Sequence, residues 1–283
     1  MRVGFVGLGK MGAGMAGHLA ASDHDLAVFD TRPEAIEPLA SRGARGATSV
    51  AEAADGADLV SVVVLDDRQV LDVVTGPGGV LTTMPAGSVL AIHSTVTLDC
   101  IRAVAVAAAE VDVRVLDAGI SGGVPGANAG TLMVIVGGDT DAVDAARRGF
   151  EPWSSEIVHV GPLGAGMVAK VARNYVQYVA FGLIHEAQAL AGARGVDLAQ
   201  LAHIIRSTKA LDLTSIVLDR ADATPRPPAE LGDAGAAIVE MIELGFKDLD
   251  VAEAIADELG VDLPGLASAR AGFGPSIGVD LRR

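Results

Sequence analysis

One cysteine, Cys100, occurs in 283 residues. A single thiol excludes any disulfide within the chain and any cysteine-based zinc site. Cys100 lies in an apolar helical stretch and reads as an inert core residue. Aromatics are scarce as well: six Phe, two Tyr and one Trp. The core must therefore be built from Ala, Val, Leu and Ile. Basic residues are outnumbered, 21 Lys and Arg against 36 Asp and Glu, giving a formal net charge of −15. That field argues against nucleic acid or an anionic membrane surface as a partner. An anionic small molecule would need a local cluster of donors. His18, His24, His93, His159 and His203 show no metal-ligand spacing, so no metal site is expected. No internal repeat and no low-complexity tract is present. The chain begins on strand-like residues with no signal-peptide pattern before them, and a cytoplasmic location is expected.

What is abundant is apolar residues, half of the chain, and glycine, 35 residues. This composition suits tightly packed α/β units with many short turns, and the length allows two domains. Through residue 162 the chain alternates in the βα manner. Strands are expected at 2–6, 26–29, 59–65, 89–93, 114–118, 132–136 and 157–160, and helices at 11–19, from about 33, and at 66–74, 98–110 and 142–150. Continuous apolar strands of this kind imply a parallel sheet covered on both faces. From 164 to 193 the period becomes helical, with no proline. Lys170, Arg173, His185 and Glu186 interrupt that run, so it reads as a buried helix of a soluble domain and not a membrane span. Residues 197–206, 235–243 and 248–259 read as further helices and 224–228 as a loop. Two domains are expected, residues 1–162 for nucleotide binding and 163–283 all-helical.

The first strand runs directly into Gly7-Leu-Gly9-Lys-Met-Gly12 and then into a helix. In this context G-x-G-x-x-G has physical meaning: a tight turn, backbone approach to a pyrophosphate, and close helix–strand packing. The helix N-terminus offers N–H groups to the anion. The second strand ends at Asp30, eighteen residues beyond Gly12, where an acidic side chain would hold adenosine ribose hydroxyls. Asp30 also suits an N-cap for the helix beginning near Pro33. Ligands of such sheets bind beyond the C-terminal strand ends. Gly7, Leu8, Gly9, Lys10, Met11 and Gly12, with Asp30, Thr31 and Arg32, Leu65 and Asp66, and Ser94 and Thr95, are the cofactor candidates. Asp30 favours NAD, while Arg32 leaves NADP open through pairing with a phosphate. Farther along, Lys170 and Asn174 are four residues apart, one above the other on a helix face. With a Ser121-Gly122-Gly123 turn between the two features, the pattern points to hydride transfer at a carbonyl carbon with proton transfer at its oxygen. A lysine snorkelling from a helix face and an ordinary turn serine are the bland alternatives.

Four stretches carry a resemblance to a family. Gly4-Phe-Val-Gly-Leu-Gly-Lys-Met-Gly-Ala-Gly-Met-Ala-Gly-His-Leu19, Asp117-Ala-Gly-Ile-Ser-Gly-Gly-Val-Pro-Gly-Ala-Asn-Ala-Gly-Thr-Leu132, Gly161-Pro-Leu-Gly-Ala-Gly-Met-Val-Ala-Lys170 through Asn174, and Lys247-Asp-Leu-Asp-Val-Ala252 with Gly260-Val-Asp-Leu-Pro264 occur in order. Nearly the whole chain resembles the β-hydroxyacid dehydrogenases. The resemblance implies a Rossmann-type doubly wound parallel sheet followed by an all-α domain joined by a long helix. It implies Lys170 as general acid/base, Asn174 as a substrate-orienting group, and Ser121, Gly122 and Gly123 as holders of a substrate carboxylate. It places Thr95 and Lys247 against the nicotinamide ribose end of NAD(P). A small carboxylate substrate and a homodimer or homotetramer follow from it.

The chain also departs from the family's pattern. Gly119 stands where proline is usual, His93 replaces a common aspartate, Asp66 a common proline, and Arg173 the first of two asparagines. These changes leave hydride transfer intact and open the choice of substrate. Imine reductases share the fold and cofactor signature but usually differ at the Lys170 position. A catalytically silent dinucleotide-binding scaffold would be expected to lose Lys170 or Ser121, and this chain keeps both.

Overall fold

The computed structural model describes residues 1–208, 224–232 and 234–280. Two compact units divide the chain, Met1–Tyr175 and Val176–Arg283. The first holds an eight-stranded sheet: β1 (Arg2–Val6), β2 (Asp25–Phe29), β3 (Arg45–Gly46), β4 (Leu59–Val62), β5 (Val89–Ile92), β6 (Arg114–Ser121), β7 (Leu132–Gly137) and β8 (Ser154–Gly161). Their order across the sheet is β3-β2-β1-β4-β5-β6-β7-β8. The chain reverses direction across the sheet between β1 and β4, which makes the mouth above them the expected binding crevice of a doubly wound fold.

Successive residues of β5 show how the core is made. Val89 and Ala91 enter one apolar cluster, and Leu90 and Ile92 the other. Both faces are therefore buried, as continuous apolar strands require. Helices α1 (Gly12–Ala20), α2 (Pro33–Ala40), α3 (Val50–Ala54), α4 (Asp67–Thr75), α5 (Leu98–Ala109), α6 (Gly123–Ala129) and α7 (Thr140–Phe150) connect the strands. The few aromatics in the core, Phe5, Phe150 and Trp153, sit within one of the two clusters. Cys100 is buried on α5, and that burial pushes its thiol up to about 11, so it is unreactive.

The sheet is not wholly parallel, because β7 runs antiparallel to β6. Residues 122–131, which include the single short helix α6, form the whole connection. A parallel crossover needs a dozen or more residues, and this link is too short to make one. The β7-to-β8 link carries α7 and restores a parallel pair. β4 also ends earlier than its apolar run suggests. Val64 turns away to bond with Ser94, and the Leu65 side chain is exposed.

Helix α8 (Ala165–Ala193) starts in the first unit and continues into the second. Beyond it lie α9 (Leu198–Ser207) and the helices Ala234–Leu259 and Gly265–Ser276. Ala234–Leu259 is one helix where two are expected from the sequence. Gly245 in its middle marks a close approach and not a break: a Cβ there would lie 2.1 Å from the Phe273 ring. Among the described residues no helix is long and apolar enough to cross a membrane.

Candidate active site

The glycine turn after β1 opens into a cleft of about 660 Å³. Gly7 has φ +96°, and a Cβ on it would lie 2.2 Å from the Val63 carbonyl oxygen. At Gly12 a Cβ would lie 2.0 Å from the Gly7 carbonyl oxygen. Both positions are closed to any side chain. Gly9 has nothing within 4 Å, so the top of the turn is open to a ligand's approach. Helix α1 starts there without a side-chain cap, so although Ala13 N donates to the Gly9 carbonyl at 3.0 Å, a helix start is available to an anion.

At the end of β2, Asp30 accepts from Leu8 N at 2.7 Å and from Arg32 N at 2.9 Å. The Arg32 guanidinium folds back on it, with Nε 3.0 Å from Oδ1. Burial works to raise the Asp30 pKa, but the Arg32 bonds and the Leu8 N–H outweigh it and hold the carboxyl below its ordinary value. Lys10, Met11, Thr31 and Leu65 line the same cleft. Asp66, Ser94 and Thr95 do not line it. Asp66 is the N-cap of α4 and accepts from Gln69 N at 2.9 Å, while the Gln69 side chain accepts from Leu65 N at 3.0 Å. This reciprocal cap is legible in the spacing Asp66-x-x-Gln69. The Ser94 hydroxyl donates to Val64 O at 2.8 Å and accepts from Val64 N at 2.9 Å, bracing the loop that forms the cleft's far wall. Thr95 is exposed beside it.

The second part of the site stands on β6 and α8. Asp117, Gly119 and Ser121 alternate along β6 and so share one face. Beyond Ser121 the chain turns on Gly122 (φ +128°) and Gly123 (φ +63°), conformations that favour glycine. Lys170 projects from the second turn of α8 and is only 9% exposed. Burial lowers its pKa, and the charge of Arg173 one turn on lowers it further. Asn174 is half-buried, and its side-chain oxygen accepts from Arg173 Nη1 at 3.2 Å. Lys247 belongs to the second unit, where its exposed ammonium pairs with Asp248 at 3.1 Å. Among the described residues no cluster of His, Cys, Asp and Glu is arranged to hold a metal ion.

Two buried groups behind the site escape a reading of the sequence. The Asp117 carboxylate, fully buried, accepts from Gly164 N at 2.7 Å and Met167 N at 2.5 Å, tying β6 to the start of α8. The motif contains Asp117, but nothing local reveals partners some fifty residues away. His93 stands edge-on between Phe150 and Trp153, with ring centroids at 5.4 and 5.3 Å. Its Nδ1 lies 2.7 Å from the Ala118 carbonyl oxygen and its Nε2 lies 3.1 Å from Ser61 Oγ. A carbonyl can only accept, so Nδ1 carries the hydrogen and Nε2 accepts from the hydroxyl. Burial drives the imidazole pKa down to about 4, and the ring is neutral at pH 7.

Comparison with known proteins is consistent with this geometry. Residues 2–161 match the family described as the NAD binding domain of 6-phosphogluconate dehydrogenase. A 3-hydroxyisobutyrate dehydrogenase of Pseudomonas aeruginosa is 35% identical over 272 residues, 95% of this chain and 89% of that protein. An NAD-dependent L-serine dehydrogenase of the same organism is 38% identical over 205 residues, 72% of this chain and 69% of that protein. The crystal structure of a putative oxidoreductase from Mycobacterium avium superposes with a TM-score of 0.84 at 35% identity, covering 98% of each chain.

Proposed function

Because the chain belongs to the β-hydroxyacid dehydrogenase family of NAD(P)-dependent oxidoreductases, we propose that it oxidises a small β-hydroxy acid to the semialdehyde, with Lys170 as general acid/base. The observation that carries this reading is the burial of Lys170 on the side of α8 that meets the face of β6 bearing Ser121. A desolvated amine near a carboxylate-binding turn is suited to take a hydroxyl proton. NAD would supply the hydride acceptor when bound; the turn from Gly7 to Gly12 would hold its pyrophosphate and Asp30 its ribose. During oxidation neutral Lys170 removes the proton from the substrate oxygen; in reduction the ammonium returns it and stabilises the negative charge that hydride attack places there. Ser121 and the N–H groups of Gly122 and Gly123 bind the carboxylate, and Asn174 orients the reacting carbon. Thr95 belongs to the nicotinamide ribose end in this proposal.

The relatives' names narrow the substrate class. 3-Hydroxyisobutyrate and L-serine share a carboxylate and a primary hydroxyl on the β-carbon, and differ only at the α-carbon. A carboxylate with a primary β-hydroxyl is the proposed substrate. An oligomeric enzyme belongs to the same proposal. Tyr175, Val176, Tyr178, Phe181 and Leu183 of α8 are 45–70% exposed in the single chain, an apolar surface suited to a second copy.

The test is turnover of a hydroxy-acid panel with NAD by the wild-type protein and by Lys170→Ala. The variant should lose roughly 10²–10⁴ in kcat while its affinity for NADH stays unchanged. Wild-type oxidation should rise with pH and level off below the ordinary lysine value of 10.5. Near-normal turnover by Lys170→Ala, with the same alkaline rise, removes Lys170 from the mechanism.

A further inference from the structure

Helix α8 is joined to β6 at the first two of three successive positions on one strand face. At the first, each oxygen of Asp117 accepts an N–H from a different residue at the helix start: Gly164, just before it, to Oδ1 and Met167, in its first turn, to Oδ2. Two bonds at separate points fix the helix in rotation as well as in height. Lys170 follows Met167 by three residues, so it shares that face and inherits any rotation. At the second position, a Cβ on Gly119 would lie 3.0 Å from Lys170 Cβ and 3.1 Å from Cγ. The bare glycine lets the lysine stem pass close over the strand. Ser121, at the third, is the proposed substrate contact.

Neighbouring backbone closes this arrangement. A Cβ on Gly166 would lie 2.3 Å from the Asp117 carbonyl oxygen, and one on Gly137 would lie 2.4 Å from Asp117 Oδ1. The first turn of α8 thus meets β6 and β7 backbone to backbone. We propose that Asp117 and Gly119 are positioning residues for the reaction, seating the start of α8 so that the Lys170 amine stands at one fixed place over β6. The inference rests on the reading of Lys170 as the acid/base. Its scale follows from helix geometry: a rotation of about 10° moves a group at the helix's outer radius of about 5–6 Å by roughly 1 Å. A displacement of about 1 Å can cost on the order of 10²-fold in rate.

Asp117 is a charged group retained in a fully buried place. Burial pushes its carboxyl up, against the N–H groups of Gly164, Met167 and Gly166. Asparagine has nearly the same shape but only one accepting oxygen, so its amide N–H₂ must face the N–H of Gly164 or of Met167. Alanine at 119 has a different effect: its methyl presses on the stem of Lys170 and leaves the helix cap intact.

The experiment reads the position of the amine directly. The chain has four lysines, Lys10, Lys170, Lys209 and Lys247. Pulsed reductive methylation with formaldehyde and cyanoborohydride across a pH series, followed by peptide mass spectrometry, gives a titration midpoint for Lys170. In Asp117→Asn and in Gly119→Ala that midpoint should rise by about half a pH unit or more, because a displaced amine regains water. Lys10 should keep its midpoint. Oxidation should lose about tenfold or more in kcat and shift its pH rise in parallel, with NADH affinity unchanged. An unmoved Lys170 midpoint, or a loss of activity no greater than the loss of folded protein, overturns the proposal. If Asp117→Asn does not fold, Gly119→Ala decides by the same readings. If Lys170→Ala retained turnover while both variants moved the midpoint, the acid/base assignment would fall and the seat would stand.

Discussion

His93 offers a quantitative test of how the floor of the site is held. Its imidazole has an ordinary pKa of 6.5 and a folded one of about 4. Between those values the unfolded chain binds a proton that the folded chain refuses. Stability is therefore complete above about pH 6.5 and falls as the pH drops toward 4. A gap of about 2.5 pH units sets the ceiling at about 3 kcal/mol, with roughly 2 kcal/mol already lost at pH 4.5 relative to pH 7. Carboxylates titrate in the same range, so the comparison needs a partner that removes only this proton. His93→Asn is that partner, because its amide keeps a donor for the Ala118 carbonyl and cannot be charged. Urea unfolding followed by far-ultraviolet circular dichroism, at fixed protein concentration and a series of pH values, measures both. The variant should start less stable, having lost ring contacts with Phe150 and Trp153. On acidification the wild-type protein should lose about 2 kcal/mol more than the variant. Parallel stability curves for the two would refute a neutral, buried His93.

Three further outcomes are expected. With Asp30 replaced by alanine, the Arg32 guanidinium loses its carboxylate partner and is freed for a 2′-phosphate, so the preference for NAD over NADP should shift toward NADP by about tenfold or more. A wild-type enzyme with a lower KM for NADPH than for NADH would contradict the ribose role of Asp30. Ser121→Ala should raise KM for free hydroxy acids by about tenfold, from the loss of one bond to a charged group, and leave KM for their methyl esters unchanged; equal effects on both would end its assignment to the carboxylate. Light scattering at micromolar concentration should return a multiple of 28.6 kDa, and a monomer would count against the exposed face of α8 as a subunit contact.

Features whose causes are local are those legible in the sequence. The turn from Gly7 to Gly12 is announced by its own glycines between a strand and a helix, and Asp30 follows from the length of one βα unit. The expected strands at 89–93 and 132–136 are β5 and β7, since uninterrupted apolar runs fit a doubly covered sheet. Direction is another matter: β7 is antiparallel because of the length of a connection whose helix, α6, is masked by its glycines. The helices expected at 235–243 and 248–259 are one, and Gly245 between them is a contact whose partner, Phe273, lies on another helix. Asp66 and Ser94 are at the expected strand ends but serve as a cap and a brace, roles set by Gln69 and Val64. Asp117 belongs to the quoted motif, yet its two N–H partners arrive only with α8. Burial of Lys170, the property on which its proposed role depends, is likewise a result of packing and not of spacing.

The scarcity of aromatics leaves a single light-emitting side chain of useful strength. Trp153 is the chain's only indole, is fully buried, and donates to the Gly149 carbonyl at 2.9 Å. Its neighbours are Phe150 and the His93 ring that holds the Ala118 carbonyl beside Gly119. Fluorescence excited beyond the tyrosine absorption band therefore comes from one known place beneath the site. No label need be introduced for the indole to report the packing around His93 during acidification, or for energy transfer to report reduced nicotinamide entering the cleft.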